Sequence, residues 1–236
     1  MSIRRLFLQY QEAGGGYPLA NIVSEYKFEN NVLDTVGVNN GTPTAITYEA
    51  GLVGQTGVFN GTSSFVKCGV MSDLDTYQKP FSTTQLVNFS SLSGQQFLPS
   101  IEGDTLEIRQ FSLRKDASNI VKFVLIDGGI IRVDTPIIAF NTSQWYHLTA
   151  TYDGLGLPTG MRLYLDGVDV SSVYSGTTNT GVRVGTNPFL IGRDERGRDD
   201  YFNGKIDCVR TWNKELTEAE VSAIATAELA GIDINP

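Results

Sequence analysis

The sequence predicts an all-β protein: two antiparallel sheets stacked as a jelly-roll sandwich, with one helix near the C-terminus. Three observations predict it. Short runs of β-branched and aromatic residues recur at intervals of roughly ten residues, with turn residues between them. No 3.6-residue apolar stripe separates those runs, which argues against alternating strand–helix–strand units. A capping-box sequence leading into an apolar stripe occurs near the end of the chain.

The strands follow in order. Residues 22–28 alternate, placing Ile22, Ser24, Tyr26 and Phe28 on one side, and a polar loop from Asn30 to Gly41 follows. Val58-Phe59, the turn Asn60-Gly61 and Phe65-Val66 come next. Leu106 to Leu113 ends at the solvated turn Arg114-Lys115-Asp116. Val121 to Ile126 and Ile130 to Val133 flank Asp127-Gly128-Gly129, a hairpin signal. Trp145 to Tyr152, Met161 to Leu165 with the turn Asp166-Gly167, Phe189 to Gly192, and Ile206 to Trp212 complete the set. In Thr217-Glu218-Ala219-Glu220 the threonine hydroxyl can accept from the Glu220 amide while the Glu220 carboxylate reaches back. Val221, Ile224, Ala225 and Leu229 then share a helix face that ends at Gly231, and this helix is expected to lie as a lid on the sandwich edge.

Composition narrows the function. The chain has 236 residues, long enough to bury a core without staples, and carries 18 Lys+Arg against 26 Asp+Glu, a net charge of −8. A nucleic-acid surface needs a basic stripe, so that class is excluded. No apolar run approaches the roughly 18 residues of a membrane helix, which excludes a transmembrane helix as well. Leu6, Phe7 and Leu8 are too short an apolar stretch for a secretory signal, which needs roughly 7–15 residues. Cys68 and Cys208 lack metal-ligand spacing and are expected as two half-buried thiols, the alternative being one bridge between neighbouring strands. Residues 1–20 read as an arm with Ile3, Leu6, Leu8 and Tyr10 loosely alternating, hinged at Gly14-Gly15-Gly16; the domain proper spans residues 21–236. Such an arm is either dispensable or docks on a partner by strand addition.

Four blocks carry a resemblance. The last, Phe202-Asn-Gly-Lys-Ile-Asp207-Cys-Val-Arg-Thr-Trp212-Asn-Lys-Glu-Leu216-Thr-Glu-Ala-Glu220, is the most specific. It is joined by Trp145-Tyr-His147-Leu-Thr-Ala-Thr-Tyr152-Asp153-Gly, by Leu163-Tyr-Leu-Asp166-Gly167, and by Phe59-Asn60-Gly61 running to Phe65-Val66. From about Ile22 to Leu229 the chain resembles the laminin-G-like, concanavalin-A-like jelly-roll superfamily. That resemblance implies the fold; it leaves lectins, adhesive modules and hydrolases all open, because function belongs to the site.

Four candidate sites stand out. His147, the single histidine, sits mid-strand without a nucleophile or ligand partner and is expected as a packed, hydrogen-bonded residue. Glu102-Gly-Asp104-Thr-Leu-Glu107 matches the pattern of laminarinase-type hydrolases, in which the resemblance would make Glu102 nucleophile, Asp104 its tuner and Glu107 the acid/base. Gly103 breaks that strand, however, and two tryptophans are too few to line a sugar cleft, so no catalytic residue is assigned. Asp34, Asn39 and Asn40 form an oxygen-rich loop. The resemblance implies a structural Ca2+ shared by Asp34 and Asp207, with Asn39 of the same loop as a further ligand; the alternative is Asx hydrogen bonding within turns. Finally, Arg193-Asp-Glu-Arg-Gly-Arg-Asp-Asp200-Tyr201 concentrates charge in one loop. Arg193, Asp194, Arg196, Asp199 and Tyr201 are the expected ligand contacts, with guanidinium forks and carboxylates for hydroxyls and a ring for stacking.

The expected function is non-catalytic recognition of a carbohydrate or glycosylated surface, within a homo-oligomer or larger assembly. A fold of extracellular habit without an export signal suggests a virion component assembled in the host cytoplasm, with residues 1–16 anchoring it to structural proteins. A non-classical route to the cell surface is the alternative location. A decoration protein without glycan affinity and an endo-glycosidase are the rival functions.

Overall fold

The computed structural model describes residues 17–71, 79–101, 111–126, 129–178, 187–194 and 200–235. The arm 1–16, the hairpin signal Asp127-Gly128, the acidic trio Glu102, Asp104 and Glu107, and loop residues Arg196 and Asp199 lie outside them. The strands are β1 Ile22–Tyr26, β2 Thr42–Thr44, β3 Thr47–Ala50, β4 Gln55–Asn60, β5 Phe65–Lys67, β6 Phe81–Phe89, β7 Gln96–Ile101 and β8 Phe111–Lys115. They continue with β9 Val121–Ile126, β10 Ile130–Asp134, β11 Trp145–Tyr152, β12 Met161–Leu165, β13 Val168–Asp169, β14 Val173–Ser175, β15 Leu190–Ile191 and β16 Asn203–Trp212. One helix, α1 Glu218–Leu229, closes the described chain. As the sequence predicts, these form two antiparallel sheets of eight strands. Sheet A runs β13-β12-β11-β6-β16-β4-β3 with β1 also on β16; sheet B runs β14-β10-β9-β8-β7-β15-β5-β2.

Period-two alternation sorts the side chains. In β8 to β10, Phe111, Leu113, Val121, Phe123, Leu125, Ile131 and Val133 face the core between the sheets. Ser112, Arg114, Lys122, Val124, Arg132 and Asp134 take the opposite face of sheet B. Tyr146, Leu148, Ala150 and Tyr152 of β11 close the core from sheet A. Edge-to-face and tilted ring pairs such as Phe81–Phe123, Phe59–Phe202 and Phe140–Tyr146 fix the layer's packing.

β16 is the organising strand. Its first half pairs with β4 (Ile206 opposite Gly57) and its second half with β1 (Arg210 opposite Glu25). Between them the register against β6 slips: Asp207 faces Leu86 but Arg210 faces Thr84, and Cys208 takes a left-handed φ of 49°. This is a β-bulge at the point where the strand changes partners. It returns Val209 to the core while leaving Cys208 with Val53 and Leu86 on the far side. Cys68 lies in the inter-sheet core, so the thiols belong to different layers and both are free.

The capping box forms as predicted. Glu220 N donates to Thr217 Oγ1 (3.3 Å) and Thr217 N donates to Glu220 Oε2 (2.8 Å). The helix does not cap an edge, however. It lies on the outer face of sheet A, where Val221, Ile224 and Ala227 pack with Ile22, Tyr164, Trp212 and Leu216. The reason is that β16 and β12 present Trp212 and Tyr164 outward, an apolar area that water would otherwise meet.

Candidate functional site

The loop expected to bind calcium is a turn hub built on Asp34. Its Oδ1 accepts from the amides of Gly37 (2.8 Å), Glu25 (3.0 Å) and Val36 (3.3 Å). Its Oδ2 accepts from Ser24 Oγ (2.8 Å) and the Asn39 amide (3.2 Å). The Asn39 carbonyl accepts from the Tyr26 hydroxyl (2.7 Å), and Asn40 Oδ1 from the Asp34 amide (3.0 Å). Five donors thus point at the two oxygens a cation would need. Asp207 is elsewhere, buried beside Cys208. Burial pushes its carboxyl up to about 8, against the hydrogen bond from the Cys208 amide (2.7 Å). Asp34, Asn39 and Asp207 therefore do not fit the shared calcium that the resemblance implies. Among the described residues, no group of three or more His, Cys, Asp or Glu is placed to hold an ion.

His147 lies beneath α1, fully buried. Its Nδ1 is 3.3 Å from Thr149 Oγ1, and its Nε2 is 3.2 Å from Glu228 Oε2 without good hydrogen-bond alignment. Burial, reinforced by Arg210, pushes the imidazole down to about 3, so it is neutral at pH 7. Arg210, also fully buried, donates Nε to Glu25 (2.5 Å), Nη1 to Glu228 and Nη2 to Asp233 (3.0 Å). Lys27 reaches Asp233 (2.8 Å) and Asn235 reaches Glu25 (2.8 Å). This network ties the helix and the residues after it to β1 and β16. Its centre, Arg210 with Glu25 and Glu228, is fully buried, and only Lys27 and Asp233 at its margin reach solvent.

The charged loop presents a different arrangement. Gly192 follows β15 with a φ of 89°, and a Cβ there would stand 2.5 Å from the Phe59 ring. Gly192 N donates to Leu98 O (3.2 Å), and Phe202 N donates to Gly192 O (2.8 Å), pinching the loop base shut. Just beyond this pinch, the Arg193 guanidinium carbon lies 4.5 Å from the Phe65 ring centroid and 5.6 Å from that of Tyr201. Arg193 Nε donates to the Asp194 carbonyl (2.7 Å), and the Arg193 carbonyl accepts from Ser100 Oγ of β7 (3.0 Å). Asp200 anchors the other limb, accepting from Gln95 Nε2 (2.8 Å) at its carboxylate and from Phe97 N (3.2 Å) at its carbonyl. Two of the expected contacts, Arg193 and Tyr201, thus come together and are partly exposed. Asp194 does not join them: it is buried, so its carboxylate is not offered at the surface.

Phe65 is the contact that sequence reading missed. It was legible only as part of a turn-and-strand motif; because Val66 faces the core, β-alternation turns Phe65 outward. The same outer face of sheet B carries Arg114 over Phe97 (5.6 Å), with Nη1 donating to Ser112 Oγ (2.8 Å). The pairs Lys122–Asp116 and Arg132–Asp134 (each 2.8 Å) lie on the neighbouring strands. Chemically the rim at Arg193 offers two ring faces and a held guanidinium. It offers no nucleophile, and no poised acid–base pair among the described residues.

Solved structures place this architecture among known ones. Domain 4 of AbnA, an extracellular arabinanase of Geobacillus stearothermophilus solved with arabinotriose, superposes with a TM-score of 0.67 at 20% identity, covering 87% of this chain and 98% of that one. The binding domain of Paraclostridial Mosquitocidal Protein 1 gives 0.69 at 16% identity, over 87% of this chain and 52% of that one. A binding domain of botulinum neurotoxin DC, solved in complex with SialylT, gives 0.63 at 13% over 88% and 51%. The chain therefore spans about half of those toxin domains. No curated protein sequence matches it. Residues 60–222, well over half the chain, match the laminin-G-like family model. The chain thus belongs to the concanavalin A-like lectin/glucanases superfamily.

Proposed function

We propose that this protein is a non-catalytic carbohydrate-binding module that contacts its glycan at the rim formed by Phe65, Arg193 and Tyr201. The observation that carries the reading is one guanidinium lying over two rings at a partly exposed loop base. A sugar ring has an apolar C–H face and a hydroxyl edge, and half-buried rings beside a held donor match both. Two structural neighbours support the reading: an arabinanase domain solved with arabinotriose and a neurotoxin binding domain solved with SialylT. Both likenesses are of fold, so the ligand here must be found by experiment.

The test is a glycan array followed by calorimetry on the positive sugars. Binding that is lost in Tyr201→Ala and Phe65→Ala, with unchanged melting, supports the module. Silence toward every glycan at millimolar concentration favours the decoration protein without glycan affinity. Reducing-end release from β-glucans, lost in Glu102→Gln and Glu107→Gln, would instead establish the hydrolase. Attachment to a virion through residues 1–16 is a separate part of the proposal. Deletion of those residues should abolish particle incorporation and leave glycan binding intact.

A further inference from the structure

We infer that the sugar met at this rim carries an acidic group, a carboxylate or a sulfate, and that Arg193 is the residue that reads it; this rests on the carbohydrate-binding role proposed above. Three described arginines elsewhere in the fold are engaged by acids, whereas Arg114 lies over Phe97 and donates to Ser112. Arg132 has Asp134 at 2.8 Å, Arg162 has Asp169 at 3.6 Å, and Arg210 has Glu25, Glu228 and Asp233 around it. Arg193 has no carboxylate within salt-bridge distance among the described residues. Its Nε is spent on the Asp194 carbonyl, while its two terminal amino groups have no acceptor among the described residues.

The rings determine what that fork can do. Phe65 and Tyr201 fix the guanidinium's position without satisfying a single one of its N–H donors. A lysine could not be held this way, because the planar, delocalised group is what stacks. Two parallel donors on a pre-positioned plane suit a bidentate oxyanion, and charge-assisted bonds of that kind are about twice as strong as neutral ones. Part of the ordering cost is already met by the stack, so little further rotamer freedom is lost on binding. The overall charge of −8 works against indiscriminate anion capture. What is left is local recognition of an acid on a ring that can also lie against Tyr201.

The experiment uses the full chain and matched probes. Each acidic sugar is paired with its neutral counterpart: galacturonate oligomers with their methyl esters, sialyllactose with lactose, and sulfated with unsulfated disaccharides. The expected result is that at least one acidic probe binds about tenfold or more tighter than its partner, with affinity falling as salt rises. Arg193→Gln should erase that preference while leaving weak binding of both members. Arg193→Lys should recover little of it, since the charge survives without the fork. Equal affinity for acidic and neutral partners would overturn the inference and leave the carbohydrate-binding role standing, as would a preference unchanged in Arg193→Gln. Failure of every probe and every arrayed glycan would remove both. The ester comparison is made on the unaltered protein, so it decides even if a variant folds poorly. The carboxylate and sulfate pairs separate the two kinds of acid.

Discussion

Two arginines show how differently the two outer faces are used. Arg210, on sheet A, is fully buried and donates to three carboxylates beneath α1. Arg193, at the loop base beside sheet B, is partly exposed, stacked on two rings and unpaired with any acid among the described residues. The same side chain is thus a clamp on one side and a held, unspent donor on the other. Satisfied charge marks the face that the fold has closed, and a held guanidinium without an acid among the described residues is what the proposed binding role draws on. Substitutions at the two residues should behave in opposite ways.

The largest effect is expected from Arg210→Met. It would leave Glu25, Glu228 and Asp233 around an apolar side chain, with Lys27 beside Glu25 and Asp233 and the neutral His147 beside Glu228. Removing one partner of a buried ionic group costs about 3–5 kcal/mol. Urea unfolding should show the midpoint falling by a corresponding amount at unchanged slope. A loss below about 1 kcal/mol would mean that the cluster is not the clamp described.

Next comes the pH dependence of two buried groups, Asp207 and His147. Asp207 is raised to about 8 in the folded state, so the native protein holds a proton that the unfolded chain releases above its ordinary 3.8. Its contribution is therefore fully present below 3.8 and is lost as pH rises toward 8, by up to about 1.4 kcal/mol per pH unit. His147, lowered to about 3, has the opposite sign: its contribution is present above the ordinary 6.5 and is lost as pH falls toward 3. The two oppose each other between about 3.8 and 6.5, which leaves the decline from 6.5 to 8 to Asp207. Unfolding of Asp207→Asn across pH 5 to 8 should show that decline flattened. Parallel curves for the two proteins would place the proton elsewhere.

These residues also show where sequence reading stops. The strands of the Trp145 and Phe202 blocks and the capping box at Thr217 were legible because alternation and capping are local rules. The surroundings of Asp207 were not. A non-glycine residue, Cys208, takes the left-handed conformation that makes the bulge, and nothing in its identity announces this. Asp34 was correctly placed in a polar loop, but its Asx partners and a cation's ligands draw on the same residue types, so only geometry separated them. Glu228 sits on the helix stripe with Ala225 and Ile224, where periodicity alone would put an apolar residue; Arg210 of β16 accounts for it. Arg193 and Tyr201 could be suspected from one loop. Phe65 comes from a distant strand and joins them only through sheet order.

A smaller effect on stability belongs to the cap. Thr217→Ala removes the oxygen that accepts from Glu220 N and should cost about 1 kcal/mol. Because α1 covers the Arg210 cluster, the loss should add to that of Arg210→Met with some coupling, measurable as a double-mutant cycle. Full additivity would mean that the helix start and the buried clamp report on separate units.

The smallest effect on stability, and the sharpest use of the comparison, is Arg193→Gln. Here the guanidinium is partly exposed, and its one polar bond among the described residues goes to the adjacent residue's carbonyl. Substitutions at such positions usually stay within about 0.5 kcal/mol. Melting and urea curves should overlay those of the parent while recognition of the acidic probe is lost. If Arg193→Gln instead destabilised the fold as Arg210→Met should, the stack on Phe65 and Tyr201 would be a second clamp. The contrast between a spent arginine and an unspent one would then fail at the residue on which the binding role depends.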